Sequence, residues 1–505
     1  MDDVAASNEM ELRSIRNQFL GCLSGMFLSG SAYISMLNLQ SSINIEDGLG
    51  TIASSVSYGT STVFLIFFTT ILMRKFGIKI CLIASEITYM FYVLANLYPT
   101  FYTLIPAAIL VGAGEAMLWP CMSIISYHFA MEYAKKRKNE LKEDAFYVNL
   151  YSGYFFTNAQ CCQIFGNLIT YAVMYGFKDY SDQSAEDAVD NNSTTISWIS
   201  TTSDNFNKYE YCGANDCQDV DTVGESLEQY VPSDNLTLII LISILTVMCI
   251  TSLIIHLHFV PNSIIASGQE DKDFSDYVNN SFKSEEEQNT YIDGTSDTVK
   301  INTNNSLSFS GKRNIRKASC SSEISQEYME SNRKLQKEEN GLLRQYYKML
   351  KDLGTQLLRQ QQLLIIPITF YVGLTQAYVF SELTRAFSSC VVGVSMVGIH
   401  MATYGLSDAI LSYIIAKYGQ KLGRNIFFVV STVLSTLGYL YCLLWNPGPG
   451  SAWSVFLIYV AFGISDGVWQ TLLIVIYLEY FEGNHDVAVT LWNFWLLLGF
   501  AVQFG

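Results

Sequence analysis

Charged residues are scarce in this chain, and their scarcity is the first constraint on its fold. Asp, Glu, Lys and Arg make up 15% of the 505 residues, whereas half of the residues are apolar and the mean hydropathy is +0.22. A soluble protein carries more charge and spreads it over its surface. Here the few charges are segregated between long uncharged stretches. The sequence therefore predicts a polytopic membrane protein.

Enzyme motifs are also lacking. The sequence contains no GxSxG, no HExxH and no phosphate-binding loop, and its five histidines are scattered. We therefore predict no enzymatic activity, no cofactor and no metal site. The formal net charge of −16 gives no support for a nucleic-acid partner.

Eleven apolar segments are long enough to cross a bilayer as helices. A hydrocarbon core of ~30 Å requires ~20 helical residues, and continuous apolarity over that length does not fit the short alternating strands of a barrel. The predicted spans are residues 17–37, 51–73, 78–97, 102–127, 146–176, 236–260, 361–384, 391–416, 425–445, 452–478 and 485–505.

The basic residues predict the orientation. Thirteen Lys and Arg residues lie in the N-terminal tail and in the 2/3, 4/5 and 8/9 loops, whereas the short loops of the opposite side contain none. Because cytosolic loops are enriched in bases, residues 1–16 are predicted to be a cytosolic tail. The polar stretch 38–50 is then expected to be a hydrated hook between the first two spans on the outer side. Gly48 and Gly50 would permit its tight return.

The long segment 177–235 fits the outer side. It carries thirteen acids, the sequence CGANDC at 212–217 and three glycosylation sequons. N-glycosylation and a disulfide between Cys212 and Cys217 both require the extracellular or lumenal side. The other nine cysteines are expected to remain reduced. The predicted glycosylation sites are Asn191, Asn192 and Asn235.

Two further segments lie between the sixth and seventh spans. Residues 261–340 are rich in Ser, Asn, Glu and Lys, which is typical of a disordered cytosolic linker. Residues 341–360 place leucines at helical spacing among bases and predict an amphipathic helix. This helix lies either at the inner membrane surface or against the bundle.

An internal repeat indicates the architecture. MRKFGIK at 73–79 corresponds to AKYGQKLGR at 416–424, and VGAGE at 111–115 corresponds to FGISD at 462–466. Both matches occupy the same ordinal position in each half of the chain, which predicts two parallel six-helix repeats of the major facilitator type. The N-terminal transmembrane half is 17–260. The C-terminal half, 361–505, shows five spans, and a twelfth is expected beyond the sequence.

Acids inside spans are the first candidates for function, because charges in a membrane interior are costly and face a cavity or a partner. Glu115 and Asp466 occupy equivalent repeat positions and could line a central cleft that binds a cation or carries a proton. Alternatively they hydrogen-bond neighbouring helices where glycines allow close approach. The candidate acids are Glu115, Asp466, Glu86 and Asp408.

Two other polar patterns occur inside the spans. Glu382 and Arg385 are three residues apart on one helix and predict an ion pair. Four amides repeat along one face of the fifth span, where they either line a cavity for a polar solute or bond to neighbouring helices. These amides are Asn149, Gln160, Gln163 and Asn167.

Several longer strings resemble the uncoordinated-93 family of the major facilitator superfamily. They are NLQSSIN at 38–44, GAGEAMLW at 112–119, CGANDC at 212–217, SELTRAFSSC at 381–390 and LWNFWLLLGFAVQF at 491–504. The signature residues that we take from them are Asn38, Gln40, Ser41, Gly112, Gly114 and Trp119.

The resemblance implies a function that the residues alone do not. Namesake members are regarded as regulatory subunits of a two-pore potassium channel complex, and a vertebrate branch escorts receptors from the endoplasmic reticulum. The resemblance therefore implies a multi-pass membrane protein whose partner is a channel subunit or another membrane protein. It favours the plasma membrane over an endolysosomal membrane. The alternative from the acids is a secondary transporter of a small solute or cation. The amides of the hook would either fix that end of the bundle or meet the partner.

Overall fold

The computed structural model describes residues 2–137, 144–190, 212–215, 235–262, 264, 347, 350, 351, 353–448, 451–480 and 485–505. Within these residues the regular structure is helical, as the apolar spans predict. The main helices are α1 (Asp2–Ile43), α2 (Leu49–Phe67), α3 (Thr69–Phe76), α4 (Ile78–Ala95), α5 (Phe101–Lys136), α6 (Asp144–Asp190), α7 (Asn235–Phe259), α8 (Gln360–Tyr378), α9 (Val397–Leu422), α10 (Arg424–Leu444), α11 (Ala452–Tyr480) and α12 (His485–Phe504).

Each of the eleven predicted spans corresponds to a helix, with α2 and α3 together forming the second. Among the described residues, eight helices are long and apolar enough to cross a membrane, and α12 contains a shorter apolar stretch. The other two spans are the helices α6 and α9. Inside the bundle, α6 packs against α1, and α9 packs against α11. The predicted all-α polytopic fold is confirmed.

The seventh span changes its helical form near its end. After α8 the chain continues as a π-helical segment, Val379–Ser389, and then as the turn Cys390–Val392. Long π-helical stretches are rare and are often found at functional sites. This segment contains the family string SELTRAFSSC.

The internal repeat is visible in how α5 and α11 pack. A Cβ on Gly112 would lie 2.2 Å from the Ser57 carbonyl oxygen of α2, and one on Gly463 would lie 2.4 Å from the Tyr404 carbonyl oxygen of α9. Only glycine permits such a close approach of two backbones. The fourth and tenth spans therefore meet the second and eighth spans at equivalent points.

A second set of contacts repeats two residues further along these helices. A Cβ on Gly114 would lie 2.0 Å from the Thr88 hydroxyl of α4, whereas Ser465 of α11 hydrogen-bonds Ser431 of α10 at 2.7 Å. Small residues thus bring the third and fourth, and the ninth and tenth, spans together in both halves.

The turns before α4 and α10 also match, but at a different glycine than the sequence repeat indicated. Gly77 has φ 83° and Gly423 has φ 81°, both in the region that favours glycine. In the sequence, FG at 76–77 corresponds to YG at 418–419, so the repeat predicts Gly419 as the equivalent of Gly77. The structural equivalent is Gly423, because α9 continues to Leu422.

The two halves meet along α2 with α12 and along α6 with α9. Tyr58 of α2 stacks on Phe500 of α12, with ring centroids 4.5 Å apart. A Cβ on Gly398 of α9 would lie 2.4 Å from the Asn167 carbonyl oxygen of α6. At the end of the bundle that carries the turn Asn44–Gly48, here called the hook end, Ser41 of α1 donates to the Ser381 carbonyl oxygen at 3.0 Å.

The hook is shorter than predicted, and its amides and serines are buried, whereas Asp47 is exposed. The first helix continues to Ile43, so Asn38, Gln40 and Ser41 belong to it, and each is at most 3% exposed. The turn itself contains Asp47 with φ 50° and Gly48 with φ 67°. The expected hydration is wrong because Asn38 and Ser41 bond to neighbouring helices and Gln40 accepts from Asn44 of the adjoining turn.

The predicted disulfide between Cys212 and Cys217 is also wrong. Cys212 is bonded to Cys390, with a Cα–Cα distance of 5.6 Å, and Cys217 lies outside the described residues. The segment 212–215 packs at the hook end, where Gly213 lies against the ring of Trp445. This packing places Cys212 beside a cysteine 178 residues away, which local spacing could not reveal.

The predicted long segments are described only in part. The sixth helix extends beyond the predicted end of its span, to Asp190. In the segment 341–360, residues 353–357 are helical, Leu353 is buried and Leu358 is 81% exposed. Except for 261, 262 and 264, the linker 261–340 lies outside the described residues.

Candidate functional site

Glu115 of α5 is held by two aromatic donors. The Tyr89 hydroxyl of α4 donates to Oε2 at 3.2 Å, and the Trp119 indole donates to Oε1 at 3.3 Å. Tyr33 of α1 stacks on Tyr89, with ring centroids 4.3 Å apart. The Glu115 side chain is half-buried. Intramembrane acids almost always face the interior of a bundle or a water-filled cavity, which fits the partial exposure of Glu115.

Asp466 of α11 is more enclosed and joins three helices. Its Oδ1 accepts from Gln376 of α8 at 2.7 Å, and its Oδ2 accepts from the Tyr404 hydroxyl of α9 at 2.7 Å. Asp408 of α9 is 4% exposed and accepts from Ser412 at 3.1 Å. Both acids of the C-terminal half therefore have hydrogen-bond donors that offset part of the cost of burial.

Glu115 and Asp466, the acids at equivalent repeat positions, thus differ in exposure. Each accepts hydrogen bonds from side chains of its own half of the bundle. Glu115 takes its donors from α4 and α5, and Asp466 takes its donors from α8 and α9. These contacts fit the interpretation that the acids link neighbouring helices. The partly exposed face of Glu115 also fits the interpretation that an acid lines a cleft.

Glu86 of α4 belongs to a fully buried network that sequence reasoning missed. Nδ1 of His256 in α7 lies 2.7 Å from Oε1 of Glu86, and Nε2 of His256 lies 2.8 Å from the Cys22 carbonyl oxygen of α1. The same Glu86 oxygen is hydrogen-bonded by Ser252, and Glu86, His256 and Ser252 are all 0% exposed.

The geometry of this network determines the position of one proton. The Cys22 carbonyl oxygen can only accept, so Nε2 of His256 must carry hydrogen. A second proton lies between Nδ1 and Glu86, either as an imidazolium–carboxylate pair or as two neutral groups. The pair ties the first, third and sixth spans together. The available sequence signal was Ser252 and His256, four residues apart on one face of an otherwise apolar span.

The amides of the fifth span divide between two kinds of contact. Asn38 of α1 donates to Oδ1 of Asn167 at 3.0 Å, and Asn167 donates to the Gln163 carbonyl oxygen at 2.6 Å. Gln163 is buried, whereas Gln160 is half-buried. The side chain of Asn149 lies outside the described residues.

Gln160 is the member of this stripe that reaches the other half of the bundle. Its side chain approaches the Asp408 carboxylate of α9. A Cβ on the neighbouring Gly405 of α9 would lie 2.7 Å from Gln163. The stripe therefore lies along the contact between α6 and α9, where it joins the two halves.

The amides of the hook form their own chain of hydrogen bonds. The Asn44 amide nitrogen donates to Gln40 Oε1 at 2.6 Å and to Asn96 Oδ1 at 2.8 Å, and Asn96 donates to the Tyr92 carbonyl oxygen at 2.9 Å. Both hydrogens of the Asn44 amide are thereby used. The chain links the end of α1 to the end of α4.

The π-helical segment contains the predicted ion pair. The Arg385 guanidinium donates to Oε2 of Glu382 at 2.5 Å. Arg385 is 6% exposed, whereas the Glu382 side chain is 30% exposed, so the bundle buries the base of the pair more than the acid. Nearby, Ser388 lies 2.6 Å from Nδ1 of His400, whose ring stacks on Tyr459. Together with the Ser41 contact, this segment forms the closed hook end of the bundle.

The predicted glycosylation sites are described only in part. Asn235 begins α7 and is exposed, whereas Asn191 and Asn192 lie outside the described residues. In the part of the chain that the structure describes, the potential metal-binding residue types form no cluster of three or more.

Known proteins resemble this chain in both sequence and fold. The Major Facilitator Superfamily family model matches residues 330–503. The nucleoside transporter NupG is 10% identical and has a TM-score of 0.52, with 96% of this chain and 90% of that chain covered. At this identity the likeness shows the fold alone, and it agrees with the repeated halves described above.

The sequence relatives are more specific. Protein unc-93 homolog A of Xenopus laevis is 26% identical over 95% of this chain and 85% of its own length. The chain is related to the unc-93 proteins. Caenorhabditis elegans unc-93, whose name presents it as a candidate potassium channel regulatory protein, is 20% identical over 99% of this chain and 58% of its own length. These matches confirm the resemblance to the unc-93 family, and they extend over nearly the whole chain.

Proposed function

We propose that this unc-93 relative is a non-enzymatic regulatory subunit of a potassium channel complex in the plasma membrane. The observation that carries the proposal is the alignment with Caenorhabditis elegans unc-93 over 99% of this chain. This chain covers 58% of that relative's length. The activity of the whole relative is therefore only proposed for this chain.

The contacts inside the bundle support a regulatory role over transport. Asp466 is enclosed by donors from two other helices, and the Glu86–His256 pair is fully buried. A transported cation or proton would have to displace these hydrogen bonds. Each buried donor left unpaired costs ~1–3 kcal/mol, so the acids are better suited to holding the helices together.

Transport remains the second candidate because of Glu115. Its side chain is half-buried, and it occupies the repeat position equivalent to Asp466. A carboxylate with a free face in a bundle of this fold is the kind of group that couples solute movement to a cation.

Whole-cell current separates the two functions. The protein would be expressed with and without a two-pore potassium channel in a cell of low background potassium conductance, and proton or sodium flux would be assayed in the same cells. The regulatory role predicts a current that changes only when the channel is present, and Glu115→Gln should leave this change intact. Solute-dependent flux without the channel, abolished by Glu115→Gln, would establish transport instead.

The topology is part of the same proposal. Thirteen bases on one side and the sequon at Asn235 support a cytosolic N-terminus and an outer hook end. An epitope at the N-terminus should be stained only after permeabilisation, whereas one inserted in 191–211 should be stained on intact cells. The reverse pattern would overturn the orientation.

A further inference from the structure

We propose that a groove at the N-terminal end of the bundle binds the anionic headgroup of a phospholipid in the cytosol-facing leaflet. The groove lies between the first turns of α1 and the end of α7. Its cavity has a volume of about 640 Å³ and is lined by Arg13, Ser14, Asn17, Gln18 and His258, among others. This volume is within the ~300–1,000 Å³ of typical small-ligand sites.

The lining combines five polar side chains with three apolar residues, Met10, Phe259 and Pro261. Arg13, Asn17 and Gln18 present side-chain N–H donors, Ser14 presents a hydroxyl, and His258 presents an imidazole that can donate. A phosphodiester has oxygens that only accept hydrogen bonds. These donors match a phosphate group better than a cation, and the apolar lining residues match the part of a lipid next to its phosphate.

The guanidinium of Arg13 is available for such a ligand. It is hydrogen-bonded to Glu9 at 2.8 Å, but both side chains are 67% exposed. Exposed pairs of this kind contribute little to stability, so Arg13 can exchange Glu9 for a phosphate at low cost.

The end of α7 would ordinarily disfavour an anion, because its last carbonyl groups carry partial negative charge. Lys79 of α4 donates to the Leu257 carbonyl oxygen at 2.8 Å and so places a positive charge there. The local field beside His258 is thereby made more favourable to a phosphate.

The surroundings identify the phosphate as that of a lipid. Within the first span and α7, Leu20, Ile254 and Leu257 are 48–60% exposed and begin directly above the groove. Acyl chains would cover these side chains while the headgroup occupies the groove. The groove also lies at the start of the first predicted span, at the depth of the headgroup layer. In the proposed orientation this layer is the anionic cytosolic leaflet.

Lipid titration followed by native mass spectrometry tests the proposal. Purified full-length protein would be titrated with phosphatidylserine and, separately, with phosphatidylcholine, and the dissociation constant of the first bound lipid would be compared between variants. Arg13→Gln removes the positive charge from the groove, and His258→Leu removes its imidazole donor. Arg16→Gln is the matched control, because Arg16 lies on the same helix, is exposed and does not line the groove.

The expected result is tighter binding of phosphatidylserine than of phosphatidylcholine. Removing one base near a membrane surface weakens anionic lipid binding by about five-fold, so Arg13→Gln should show this loss while Arg16→Gln should not. Equal losses in both variants, or no preference in the unaltered protein, would overturn the site. Displacement of phosphatidylserine by soluble glycerophosphate at similar concentrations would assign the groove to a free phosphate and overturn the lipid assignment.

Discussion

Cys212 and Cys390 join the two halves of the bundle by a covalent bond. Cys212 belongs to the segment between α6 and α7, whereas Cys390 follows the π-helical end of the seventh span. The linker 261–340 is therefore enclosed within the loop that the disulfide closes. The two cysteines also place segment 212–215 at the hook end, on the same side as the contact between Ser41 and the π-helical segment.

Cleavage of this linker should leave the halves attached. With a protease site inserted in 261–340, the cut protein should run as one band on a non-reducing gel and as two bands after reduction. Cys390→Ser should give two bands without reductant. Cys217→Ser is the control and should behave like the unaltered chain. Two bands from the cut unaltered chain without reductant would contradict the Cys212–Cys390 bond and favour the local Cys212–Cys217 pairing.

The buried pair of Glu86 and His256 should be costly to break. Removing one partner leaves the other unpaired in the interior, which typically costs ~3–5 kcal/mol. Glu86→Leu and His256→Leu are each expected to lower the free energy of unfolding by about this amount, measured by denaturant unfolding in detergent. The double variant Glu86→Leu/His256→Leu should lose much less than the sum of the single losses.

The control for this pair is an ion pair that is exposed. Glu9→Leu removes the partner of Arg13, and both side chains are 67% exposed. Its effect should remain within ~1 kcal/mol. Losses of equal size for Glu9→Leu and Glu86→Leu would show that burial does not determine the contribution of the pair.

The spans could be predicted from the sequence because the bilayer requires each helix to be apolar over a fixed length. The repeat could be found because close contact between two backbones requires glycine. Gly112 and Gly463 therefore mark the same packing point in each half. The partners of polar groups were not predictable in this way. Cys390 as the partner of Cys212, and His256 as the partner of Glu86, follow from tertiary packing. Hydropathy also made the polar end of α1 look solvated, although its amides bond to one another.

Close packing between the halves should be sensitive to a single methyl group. A Cβ on Gly398 would lie 2.4 Å from the Asn167 carbonyl oxygen, so Gly398→Ala must push α6 and α9 apart. Overpacking of this kind costs ~1–3 kcal/mol, which should lower the melting temperature. Gly153→Ala in α6 is the control, because nothing lies within 4 Å of its Cβ position. It should be neutral or slightly stabilising, and a comparable loss there would indicate a general effect of alanine on α6.

The amides of the hook should stabilise the bundle rather than bind a partner. Asn38 and Gln40 are both 0% exposed, so a partner cannot reach their side chains without a rearrangement of α1. Asn38→Ala removes the hydrogen bond to Asn167, and such bonds between membrane helices contribute ~1 kcal/mol. We expect Asn38→Ala to lower the melting temperature. Asn167→Ala should add little to Asn38→Ala, because the two side chains share this bond. Unchanged stability together with lost co-purification with a channel would instead assign the amides to a partner surface.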